Sequence, residues 1–292
     1  MTGKQIMSIG KSQSRIAALI ACALLGTLGP GCRQDFEEHL PTVYGGHLEI
    51  DLEAGDITVR THRLDAVRLD AHAWGINARA VRFELDSQSE RIILRGAQRG
   101  WHSGLLQTPS IEVIAWVPEH YSLDLHTGRG DVRVANTRGN LTIETDRGQI
   151  LANHIEGSTR LIGHRGEITI DDVSGTIRVR NSQGAIRVRR AAARVNAISD
   201  SGNISVAFSG APTGYLAAPR GAVSVSVPES EGAMFEAFAH SSYVEVRGRG
   251  AAKSNQSLVS SEPSLLLEGR RAGIRLGSAD QLLTVLDAGV GR

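Results

Sequence analysis

Six arginines, Arg178, Arg180, Arg187, Arg189, Arg190 and Arg194, fall between residues 176 and 194 with no acid among them. A guanidinium is a planar fork of donors that grips carboxylate or phosphate in pairs, so this run is the candidate anion-binding set. The alternative is a solvated outer face, because a strand exposes every second side chain whatever its role. A second candidate is the stretch Gly100-Trp101-His102-Ser103-Gly104-Leu105-Leu106, in which Trp101, His102, Leu105 and Leu106 form either a contact loop for a partner or membrane, or a cover for one end of the fold. A third is Arg129-Gly130-Asp131, the tripeptide that integrins read. Its counterparts 18 and 36 residues on are Arg147-Gly148-Gln149 and Arg165-Gly166-Glu167, which makes it the turn consensus of a repeat.

Motifs for catalysis are missing from the sequence. The ten histidines include no H-E-x-x-H pair, and neither a G-x-S-x-G elbow nor a phosphate-binding Gly-rich loop occurs. Asp171-Asp172 is the one adjacent acid pair in the repeated region. No catalytic residue, metal site or cofactor is therefore expected. A glycan-active enzyme on a β-helix would need converging carboxylates and aromatic platforms, and it is kept only as a distant alternative. Lys and Arg number 32 against 31 Asp and Glu, a net charge of +1 that supplies no global field for nucleic acid, and aromatics are too few to interleave with bases.

Those candidates need elements to hold them, and the chain divides into five stretches. Residues 1–31 read as an export signal: Lys4, Lys11 and Arg15 precede an apolar run from Ile16 to Leu28, then Gly29-Pro30-Gly31 leads to Cys32. The run is shorter than the roughly 17–25 residues of a spanning helix. Cleavage before Cys32 would leave a single thiol, at the first position of the mature chain, which is the arrangement of an acylated lipoprotein. Ordinary secretion and an uncleaved anchor are the alternatives. Removal of the signal takes away three bases and no acid, leaving a net of −2. Residues 32–45 then read as a polar tether, 46–120 as an N-terminal β segment and cap, 121–250 as a repeat array, and 251–292 as a C-terminal β cap.

The repeat sets the fold. From Ser122 the chain runs in blocks of 18, each made of two nines, with apolar residues at the second and fourth places and Gly or Ala at the ninth. Gly stands there at 130, 139, 148, 157, 166, 175, 184 and 202, and Ala at 193 and 211; among the apolar pairs Thr159 alone breaks the pattern. Alternation with period two is a short strand, and Gly turns the corner after it. Nine residues leave no room for a crossover helix. The spacing predicts an all-β, single-chain β-solenoid, parallel and β-helix-like, with 18-residue coils of two half-units, capped by irregular or antiparallel β segments. A narrow core explains why aromatics make up only 4% of the chain.

The signal with Cys32, GDITV at 55–59, IEVIAWVPEHYSLDLHTGRGDV at 111–132 and the repeated Gly-x-Ile-x-Val units resemble the family of bacterial β-strand-repeat proteins labelled "putative adhesin", a domain of unknown function. The resemblance covers roughly residues 45–250. It implies an envelope-facing, non-enzymatic β-solenoid, often lipid-anchored, and brings no catalytic residues. The expected function is a binding or structural module at the bacterial envelope, on the outer membrane or the periplasmic face where the host has two membranes. Its expected partners are the membrane, through the N-terminal lipid, and an envelope glycan or surface protein, with no nucleic acid. A self-associating envelope scaffold is the alternative.

Overall fold

The computed structural model describes residues 33–75, 78–88, 90–98 and 109–226, together with the backbone of strands at 235–239, 244–247, 265–269 and 274–277. Each half-unit of the repeat becomes a strand. These are β8 (Ser122–Arg129), β9 (Val132–Thr137) and β10 (Leu141–Arg147), followed by β11 (Ile150–Arg165), β12 (Ile168–Gln183) and β13 (Ile186–Ser201), each of which carries two half-units round a corner, and then β14 (Ile204–Phe208). Parallel pairing places every residue beside its copy 18 positions away, so Leu123, Leu141, Thr159, Ile177 and Val195 stack in one column and Val132, Ile150, Ile168, Ile186 and Ile204 in another. The fold is the β-solenoid that the spacing predicts.

Those columns are the core, and their Leu, Ile and Val side chains are essentially sealed from solvent. Burial contributes roughly 1.5–3 kcal/mol for each such side chain, and stacking supplies it only when a neighbouring coil is present. Thr159, the exception in the pattern, stays in the column with its hydroxyl buried and unpaired.

Two corners turn each coil by different means. At the first, Gly148 has φ +147°, and a Cβ there would lie 1.9 Å from the carbonyl oxygen of Gly130. Its N–H meanwhile donates to Arg165 O at 3.0 Å on the following coil. Gly166 repeats the arrangement against Gly148. At the second corner Asn136, His154, Asp172 and Arg190, again 18 apart, adopt φ of 59°, 53°, 55° and 49°. Glycine is selected at the first corner by both its φ near +147°, which side-chain-bearing residues rarely adopt, and the close approach of the previous coil; φ near +55° at the second corner admits other residues.

A buried polar column runs beside the glycine corner. Thr127, Thr145, Gly163, Asn181 and Ser199 lie in register. Thr127 Oγ1 donates to Gly55 O at 2.8 Å, Asn181 Nδ2 to Gly166 O at 2.8 Å and Ser199 Oγ to Gly184 O at 3.1 Å, while Thr145 reaches Gly130 O at 3.5 Å. These side chains pair carbonyls that the sharp turn directs inward, which would otherwise be costly to bury.

The N-terminal region winds differently. β2 (His47–Leu52) and β3 (Asp56–His62) form a coil, and β6 (Arg91–Gln98) and β7 (Ser110–Pro118) form another beyond it, since β2 pairs with both β6 and β8 and β3 with both β7 and β9, all in parallel. The coil that comes later in the chain thus lies outside the earlier one. The sequence shows no nine-residue spacing across 98–109 and hides this coil. Over that end, β4 (Ala66–Trp74) pairs antiparallel with β7, and β5 (Val81–Ser87) antiparallel with β6.

Residues 33–41, expected within a polar tether, are instead strand β1 (Arg33–Pro41), antiparallel to β4 along its whole length. Alternation explains the difference: Phe36 and Leu40 pack against the core while Asp35, Glu37 and His39 stay outside. Asp35 accepts hydrogen bonds from Arg33 Nε and His72 Nδ1, both at 2.7 Å. Burial raises its pKa, but the bonds from Arg33 and His72 outweigh that and hold the carboxyl below its ordinary range.

Beyond Phe208 the coils lengthen by one residue. Arg194 pairs with Thr213 of β15 (Thr213–Ala218), and Ile204 with Val223 of β16 (Val223–Ser226). The parallel ladders continue through β17 (Phe235–Ala239), β18 (Val244–Arg247), β19 (Leu265–Gly269) and β20 (Ile274–Gly277).

Candidate binding face

Strand alternation divides the six arginines between two outer faces. Arg187, Arg189 and Arg190 lie on the face built from the first half-units. There Arg187 pairs with Glu167, Arg190 pairs with Asp171 at 3.0 Å, and Arg189 stands in register beside Asp171. Two of these three arginines are thus ion-paired and the third adjoins an acid, so the group is largely offset by its neighbours.

Arg178, Arg180 and Arg194 lie on the face of the second half-units, whose strand segments at 158–162, 176–180 and 194–198 contain no acid. Register adds Arg160, directly beside Arg178 on the preceding coil. The column continues into Asn196 and then Tyr215. A parallel column holds Ser158, Thr176, Arg194 and Thr213. Arg160, Arg178 and Arg194 are exposed and have no partner among the described residues, while Arg180 reaches Asp200 only at 3.9 Å. Adjacent strands are about 4.8 Å apart, so Arg160 and Arg178 oppose each other as like charges, an unfavourable pairing in the absence of an anion. Acids return one and two coils earlier, at Glu144 and Asp124.

A second arginine column, Arg129, Arg147 and Arg165, runs up the glycine corner. Its field is offset locally. Asp146 adjoins Arg147, and Asp131 and Glu167 follow two residues after Arg129 and Arg165. Asp131, the acid of the integrin-like tripeptide, is occupied: its Oδ1 accepts from Gln149 N at 2.9 Å and its Oδ2 from Arg133 at 2.7 Å. It fastens one turn of the repeat to the next.

Sequence reading missed Arg160 because a window from 176 to 194 follows chain order. Subtracting one 18-residue period from Arg178 would have found it. Cys32, Trp101, His102, Leu105 and Leu106 lie outside the described residues. Among the described residues, no group of three or more His, Cys, Asp or Glu is placed to hold a metal ion, and no helix is long and apolar enough to cross a membrane.

A family model described as Toastrack DUF4097 matches residues 45–264, three quarters of the chain. The protein belongs to the Toastrack DUF4097 family. The match spans the cap coils and the whole repeat array. Among solved structures, a "putative lipid binding protein" from Parabacteroides distasonis is similar at 14% identity over 86% of this chain and 98% of its own, with a TM-score of 0.47. A "putative adhesin" from the same organism is similar at 11% identity over 81% and 97%, TM-score 0.43. A "putative cell adhesion protein" from Clostridium sporogenes is similar at 12% identity over 83% and 99%, TM-score 0.32. No curated protein matches the sequence.

Proposed function

We propose that this Toastrack protein is a non-enzymatic binding module of the bacterial envelope, exported by residues 1–31 and held at the membrane by an acyl group on Cys32. The observation that carries this reading is the set of outer columns, in which polar side chains repeat in register coil after coil on a rigid support. Such a surface binds by matching spacing and charge, and needs no cleft. The anchor is supported by the signal at residues 1–31, which leads directly to Cys32, and β1 begins one residue after that cysteine. The antiparallel cap formed by β4 and β5 favours this module over a scaffold that grows by parallel addition at that end, because it ends the parallel ladder.

Intact mass and membrane partitioning of the natively expressed chain test the anchor against Cys32→Ser. A diacyl or triacyl adduct on Cys32, lost in the variant together with membrane association, is the expected result. An unmodified and freely soluble wild-type product overturns the anchored reading.

A further inference from the structure

We infer that the face carrying Arg160, Arg178 and Arg194 binds an anionic glycan chain lying along the solenoid axis. Three observations converge on it. The strand segments at 158–162, 176–180, 194–198 and 213–217 stack in register and contain no acid; the first three carry arginines, so three successive coils of this face carry positive charge alone and the fourth is uncharged. Arg160 and Arg178 are held side by side and left without a partner among the described residues, although acids pair with arginines elsewhere on the surface. The positions beside and beyond them, Ser158, Thr176, Asn196 and Thr213, supply hydroxyl and amide groups.

Guanidinium forks at about 4.8 Å intervals meet carboxylate or phosphate groups on a chain, while neighbouring hydroxyls and an amide suit sugar hydroxyls. A bilayer surface fits less well, since among the described residues this face exposes no large apolar side chain fully, and Ile162 and Ile198 beside Arg180 are half-buried. Asp124 and Glu144 close the site on one side, because an anion extended past Arg160 would meet them. The bound segment is therefore short and set by the number of basic coils.

The inference rests on the envelope reading for its choice of a glycan, and the test separates the two. The purified full chain is titrated with oligogalacturonate and with a phosphorylated mannan oligosaccharide, against neutral dextran and phosphatidylglycerol vesicles. Binding to at least one anionic oligosaccharide, weakening as salt rises, is expected. Arg160→Ala/Arg178→Ala should lower that affinity by about tenfold or more, and Arg187→Ala/Arg189→Ala on the opposite face should leave it unchanged. Circular dichroism confirms the β signal of each variant, whose altered side chains are exposed. Failure to bind either anionic oligosaccharide, an equal loss in both variants, or binding to the vesicles alone overturns the inference. Glycan binding by a natively expressed wild-type chain found to carry no acyl group would sink the anchored reading and leave this one standing; intact acylation without glycan binding would do the reverse.

Discussion

Two columns of the coil run through positive φ at different values, glycine near +147° at Gly148 and Asn136, His154, Asp172 and Arg190 at 59°, 53°, 55° and 49°. The difference lies both in the angle and in what stands where a Cβ would go. At Gly148 that place is 1.9 Å from a carbonyl of the previous coil. At the other corner the side chains project outward and interact there, with His154 Nδ1 2.9 Å from Asp172 Oδ2 and Arg190 paired with Asp171. A φ near +55° is a modest strain that several residue types bear, whereas φ near +147° pressed against a neighbour admits one residue type.

The sharpest way to break this comparison is to place the same residue at both corners. Gly148→Ala should destabilise the array by about 3 kcal/mol or more, combining strain with displacement of a coil. Denaturant unfolding measures it, and a loss no larger than that at an open site would remove the close-approach argument. The polar column beside the glycines comes next. Thr127→Val, which leaves the Gly55 carbonyl without its 2.8 Å donor, should cost about 1–3 kcal/mol by the same measurement. Arg190→Ala should cost less than about 1 kcal/mol, since it keeps the backbone strain and gives up only an exposed ion pair. His154→Asn should fall within about 0.5 kcal/mol of the parent, as Asn tolerates the left-handed region well and the contact it loses is exposed. A large loss at either of these last two positions would show that the open corner is as constrained as the glycine one.

The same physics explains what could be read from the sequence. Gly130, Gly148, Gly166 and Gly184 are visible as a period because crowding forbids any replacement, and with the alternating Leu, Ile and Val they establish the coil length and the parallel stack. The second corner is hidden because Asn, His, Asp and Arg share no chemistry, only a backbone angle. The Thr127 to Ser199 column went unread for a related reason: Thr, Gly, Asn and Ser look interchangeable until their common task of pairing a carbonyl is known. The order of the N-terminal coils depends on β6 and β7 lying outside β2 and β3, a pairing across distant sequence that no local pattern encodes. The arginine face was half legible. Its charge was evident, but grouping by chain order joined Arg187, Arg189 and Arg190 to a surface they do not share and left out Arg160, which they would have displaced from view.

In-register stacking also makes this molecule a ruler. Every coil adds about 4.8 Å of length and one more set of outward side chains, while leaving the cross-section unchanged. Duplicating one 18-residue unit, for example residues 168–185, would lengthen the graduated edge by a single mark without redesigning any interior contact. Reach and pattern are thereby separate variables, the first set by how many units the gene contains and the second by a few letters within each.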